Sequence, residues 1–188
     1  MGSIVSYFVR DRGQTGLEDA VDHKNTEFSQ RQKKVMRKTW DLYISSNLIN
    51  IGVEVMLSLL NDYDDIKQMF PDFKGIPNEQ LRNNKKFNAH CQMIMSVINN
   101  AVNAFLNNDN ELFVAILKVT GERHGKRAGN LIIIKHFQRV QDPLIQVLKQ
   151  HMKSHWTNEM SNLWTCAVKK ILQVIIQGVQ EALSLENK

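Results

Sequence analysis

Apolar residues recur at steps of three and four along most of the chain after residue 27, the period of an α-helix with one buried face. Two stretches stand out. Phe87, His90, Ile94, Ile98, Ala101 and Phe105 form one such face, which predicts a helix over about 79 to 106. Phe113, Leu117, Thr120 and His124 form another, over about 111 to 124, with Gly125 and Gly129 as its stop. Each apolar face is interrupted by a single histidine. Before them, Ser29 and Gln32 have the spacing of a capping box, and Met36, Trp40 and Tyr43 continue a helix over about 30 to 45. Ile51, Val55 and Leu59 line a second, over about 47 to 62. Asp64 to Phe73 reads as a turn, and the polar residues 74 to 84, with Gly75 and Pro77, as a loop that overlaps the start of the histidine-bearing helix. From Leu131 to Met152 the pattern is helical again. Pro143 predicts a kink there, or a restart capped by Asp142. Met160, Trp164, Ala167, Ile171, Ile175 and Val179 line the longest helix, over about 156 to 183. No stretch alternates as a strand does, so the fold class is all-α.

Composition narrows this picture little. A chain of 188 residues, 43% hydrophobic and 23% charged, is expected to form one domain with a real core. Two cysteines, Cys91 and Cys166, cannot make a disulfide framework; they fit a reducing, intracellular compartment as small buried hydrophobes. No apolar run is expected to reach the length of a membrane span, and the first residues lack the apolar core of a secretory signal. The net charge of +5 is that of a slightly basic globular protein, compatible with an acidic partner or membrane surface and not calling for nucleic acid.

The candidate chemistry lies in the histidines. A buried imidazole without a partner costs a few kcal/mol, so each ring either bonds a backbone carbonyl or shares a metal with the other. His151 and His155, four apart, have a spacing used by zinc sites, yet no acidic or cysteine partner follows at matching spacing, so they read as a surface pair. At the other end, residues 1 to 27 show no sustained period and read as a mobile tail. Met1-Gly2-Ser3-Ile4-Val5-Ser6 fits the pattern for N-myristoylation at Gly2. Arg31, Lys33, Lys34, Arg37 and Lys38 share the polar side of the first helix: a solvated face, or a basic patch that supports a single acyl chain at an anionic membrane.

The marked residues, in their order and separation, resemble a globin. The likeness covers residues 28 to 184. It rests on Trp40, on Phe70 and Phe73 around Pro71-Asp72, on His90 and His124, and on the stretch around Trp164. The resemblance implies a globin fold of seven or eight helices around a haem pocket, preceded by a tail (1–27) and followed by a short one (185–188). It implies haem b as cofactor, His124 as the proximal iron ligand and His90 as the distal histidine. It also implies Phe70 wedged against the porphyrin, with Met56, Phe73, Phe87, Ile94, Thr120 and Phe137 lining the pocket. Arg123, Lys126 and Arg127 could pair with the propionates or be solvated. Asp64 stands where the family usually has proline, and the segment from His124 to Phe137 is longer than in vertebrate globins. The functions implied are binding of dioxygen or another diatomic ligand, and redox chemistry, electron transfer or sensing if His90 also binds iron. The alternatives are a five-coordinate oxygen store or carrier and a haem-free helical module. The oligomeric state is left open.

Overall fold

The computed structural model describes residues 28–128 and 134–186. The tail with Gly2, the Gly129 stop and part of the corner after His124 lie outside the described residues. Within them the chain forms nine α-helices and no strand. They are α1 (Gln30–Tyr43), α2 (Leu48–Asp62), α3 (Asp64–Gln68), α4 (Asn78–Leu81), α5 (Lys85–Leu106), α6 (Asn110–Ala128), α7 (Ile134–Gln138), α8 (Gln141–Met152) and α9 (Asn158–Glu186).

Local chemistry sets most of the boundaries. Ser29 and Gln32 close a reciprocal capping box at the start of α1, at 3.2 and 2.8 Å. Asn84 accepts from the Phe87 amide at 3.0 Å and starts α5 there, six residues later than the apolar period suggests. The intervening residues form the single turn of α4 in place of a loop. Asp64–Gln68, expected as a turn, is a short helix. It begins at Asp64 without a side-chain cap on Tyr63. The expected break near Pro143 falls earlier, at Arg139–Val140, between α7 and α8. Pro143 is the third residue of α8, where a missing amide leaves no bond unmade, and Val140, not Asp142, precedes the helix.

Gly125 does not end α6, which runs on to Ala128. It and Gly121 instead allow α6 to lie backbone-close on α9. A Cβ on Gly121 would stand 2.0 Å from the Ile175 carbonyl oxygen, and one on Gly178 2.3 Å from that of Lys118. Both distances are closer than atoms can approach, so this crossing requires glycine on each side.

The core divides in two. The larger part joins α1, α5, α6, α8, α9 and, through Ile51 and Val55, α2, with Trp40 and Trp164 tilted against each other at 5.0 Å and both almost fully buried. The smaller part gathers Met56, Leu59 and Leu60 of α2, Ile66, Phe73, Leu81, Phe87 and Cys91. Ile94 and Val140 pack against both. One 18-residue window within Gln30–Asp62 does reach the apolarity of a membrane span, with mean hydropathy 1.4, contrary to expectation. That segment is interrupted by a tight turn at Ser45–Asn47, and Ile51, Val55 and Leu59 of α2 are buried in the core. Part of its apolarity thus serves helix packing.

The basic side of α1 is also less free than its composition suggests. Lys33 donates to the Phe105 carbonyl at 3.1 Å and to Asn108 Oδ1 at 2.6 Å, and Arg37 donates to Asn103 and Asn107 at 3.3 and 2.9 Å. These bonds tie α1 to the end of α5. Arg31, Lys34 and Lys38 remain exposed.

Candidate functional site

Along α5 the buried positions include Phe87, Cys91, Met95, Ile98, Ala101, Val102 and Phe105, so the series read in the sequence holds at Phe87, Ile98, Ala101 and Phe105, while Cys91 and Met95 are buried in place of His90 and Ile94. Gly52 of α2 explains the choice: its Cβ would lie 2.6 Å from the Cys91 carbonyl oxygen, so α2 sits directly on this stripe. His90 and Ile94 are turned to its flank and are half-buried. The same holds on α6. Phe113 and Leu117 are buried, and the stripe opens to half-burial at Thr120 and His124. Two half-open helix flanks therefore carry the two histidines.

The rings are held in different ways. His124 Nδ1 lies 2.8 Å from the Thr120 carbonyl oxygen. A carbonyl only accepts, so Nδ1 carries a proton and Nε2 is the nitrogen left to meet a ligand. Phe137 of α7 meets this ring edge-on at 5.5 Å. His90 has aromatic contacts instead, edge-on to Phe70 at 5.3 Å and tilted to Phe73 at 6.1 Å. Phe70 and Phe73 stack at 5.7 Å, and Phe73 meets Phe87 edge-on at 5.3 Å, so the wall beside His90 is a continuous aromatic surface. Burial first, and the charge that His124 carries when protonated second, hold His90 below the ordinary imidazole range.

Met56, Phe73 and Phe87 are buried in the smaller core, and Phe70 and Ile94 pack against it. Phe137 packs against the larger one. Arg123, Lys126 and Arg127 are exposed, on the solvent side of α6. Two shallow surface clefts, one along Gln177–Leu185 of α9 and one beside α4, include neither histidine.

Sequence reasoning missed the group that links the two walls. Asp65 on α3 is met by Arg139 Nη1 at 2.6 and 2.8 Å, by His136 Nε2 at 3.7 Å and by Lys135 Nζ at 4.0 Å. These partners lie seventy or more residues from Asp65, and nothing in the local pattern announces the contact. His151 and His155 also have partners that spacing could not show. His151 Nε2 lies 2.8 Å from Glu54 Oε2 on α2, and His155 Nδ1 lies 2.9 Å from the Tyr43 hydroxyl. Cys91 is fully buried, its thiol pushed up to about 12 by burial, whereas Cys166 is only half-buried.

The globin family model matches residues 53–175. Globin CTT-Y of Chironomus thummi piger is 27% identical over 143 residues, covering 76% of this chain and 83% of that protein. Anaerobic nitrite reductase SYMA of Casuarina glauca is 23% identical over 154 residues, covering 81% and 98%. Among solved structures, the hexacoordinated haem protein of an anhydrobiotic tardigrade superposes with a TM-score of 0.75 at 24% identity, covering 81% of this chain and 96% of that one. The chain belongs to the globin family. Haem b is the cofactor of that family, and members bind diatomic ligands such as dioxygen.

The residues present fit the group. The Nδ1 of His124 is occupied by the Thr120 carbonyl, which leaves Nε2 for a ligand, and His90 lies on the flank of α5 beside Phe70 and Phe73. The flanking surface is aromatic and aliphatic, as a flat macrocycle needs.

Proposed function

We propose that this globin would hold haem b through His124 and, when no external ligand is present, through His90 as well. It then works in redox chemistry, electron transfer or sensing. The observation that carries this reading is the pairing itself: one histidine fixed by the Thr120 carbonyl on α6, and a second on α5 held against Phe70 and Phe73. Bound haem supplies a reversible iron redox couple and a position for a diatomic ligand. The chain supplies the rest. The Thr120 bond orients His124 and raises its basicity. Phe70, Phe73 and Ile94 keep water from the distal side, and His90 either occupies that side or donates a hydrogen bond from it.

The hexacoordinated haem of the tardigrade relative and the nitrite reductase activity named for the Casuarina relative support this reading over bulk oxygen transport. Absorption spectra of the purified protein, oxidised and then reduced, test it. A low-spin ferrous spectrum without added ligand is expected. A high-spin ferrous spectrum returns the protein to five-coordinate oxygen storage or carriage, and the absence of a Soret band leaves a haem-free helical module.

We further propose that Gly2 is myristoylated and that the protein attaches reversibly to the cytoplasmic face of a membrane. The support is the Met1–Ser6 pattern together with the exposed Arg31, Lys34 and Lys38 on α1. One such chain binds bilayers only at roughly 10⁴ M⁻¹, so attachment should weaken with salt. Intact mass of protein from a myristoylating cell decides it; a retained Met1 or a bare glycine overturns it.

A further inference from the structure

The two histidines sit on separate helices, and each is flanked by an aromatic ring from a separate short helix or turn. On one side, α3 leads through successive turns to Phe70, with Met69 and Phe70 amides bonded to the Ile66 and Lys67 carbonyls at 3.1 and 3.0 Å. Phe70 then meets His90. On the other side, Phe137 of α7 meets His124, and Arg139 follows it by two residues. Between these two short segments stands Asp65, both of whose carboxylate oxygens are reached by Arg139 Nη1. The Arg139 guanidinium also lies over the ring of Tyr63, the residue that opens α3, at 4.4 Å. Val140, the next residue, packs against both halves of the core.

We infer that Asp65 and Arg139 are positioning residues: they form a strut that ties the Phe70–His90 wall to the Phe137–His124 wall and so sets how readily His90 moves relative to His124. Three features make the pair suited to this. It is short and charge-assisted, with Nη1 at 2.6 and 2.8 Å from the two oxygens of the acid. It is reinforced by cation–π contact with Tyr63, and by Lys135 and His136, which approach the same carboxylate at 4.0 and 3.7 Å. It also lies at the turn between α7 and α8, where the Arg139 amide bonds the Lys135 carbonyl and the Val140 amide the Phe137 carbonyl, both at 3.1 Å, so a displacement of Arg139 is shared with the segment that carries Phe137. The inference rests on the reading of His90 and His124 as facing haem ligands. For that reading the strut supplies a control on the distal ring that touches neither the ring nor the haem.

Full-length haem-loaded protein carrying D65N, R139Q, both, or R139K tests the inference. The first readout is hydrogen exchange at residues 63–70 and 134–140. D65N should loosen the α7 segment and R139Q the α3 segment, the double variant should add nothing to D65N, and R139K should keep most of the protection. The second readout is the rate at which carbon monoxide binds the ferrous protein, which the departure of His90 limits. It should rise about two- to fivefold in D65N and R139Q, in line with an exposed but well-aligned ion pair, and return toward normal in R139K. Loosening confined to the substituted segment overturns the strut. Coupled loosening with an unchanged carbon monoxide rate overturns the positioning role. If the unsubstituted protein proves high-spin, the bis-histidyl reading fails while the exchange experiment still decides whether the strut exists.

Discussion

His124 and His90 share burial class, helical setting and chemistry, and differ in what holds them. His124 is tied by a 2.8 Å bond to its own helix, and that helix is pressed backbone-to-backbone on α9 through Gly121 and Gly178. His90 is held among the described residues by ring contacts to Phe70 and Phe73, on a stretch of irregular turns between short helices. A hydrogen bond selects an orientation, whereas edge-on ring contacts constrain direction only loosely. On the proposed function, the same residue type would serve as a fixed ligand on one wall and a movable one on the other.

The comparison can be broken first at the fixed side. Replacing His124 with Ala should remove most haem retention, because its Nε2 is the oriented donor; haem content from absorbance per protein measures it, and full retention would refute the role. His90→Leu should leave haem bound and convert a low-spin ferrous spectrum to a high-spin one, since the remaining wall is apolar. An unchanged spectrum would show that His90 does not reach iron. Gly121→Ala acts behind His124 alone. Its Cβ must displace α9 backbone, and overpacking of this kind costs about 1–3 kcal/mol, to be read from denaturant midpoints. It should perturb the haem on the proximal side before the distal one.

The smallest effect concerns the tie between the walls. The hydrogen bond from Arg139 holds the Asp65 carboxyl below its ordinary value of 3.8, despite a small opposing effect of burial. A depressed acid contributes stability that is present above the ordinary value and lost as pH falls through the folded one. The exchange difference between wild type and D65N should therefore be constant down to about pH 4 and vanish below it. A difference that disappears near neutral pH would assign the effect to a histidine instead.

Much of this molecule is local. The capping box at Ser29, the apolar period of α5 and α6, the histidine on each, and the Trp40 and Trp164 positions are all properties of residues within a few positions of one another, and periodicity and spacing report them. The burial of Cys91 in place of His90, the passage of α6 through Gly125, the Glu54–His151 bond and the Asp65–Arg139 strut are not local. Each depends on which helix lies across which. A period says that a helix has an inner face, but a neighbouring backbone, such as Gly52 against Cys91, selects which of two adjacent stripes is covered. Charge partners more than seventy residues apart in sequence meet only once the helices are packed, so the control proposed for His90 belongs to the tertiary structure alone.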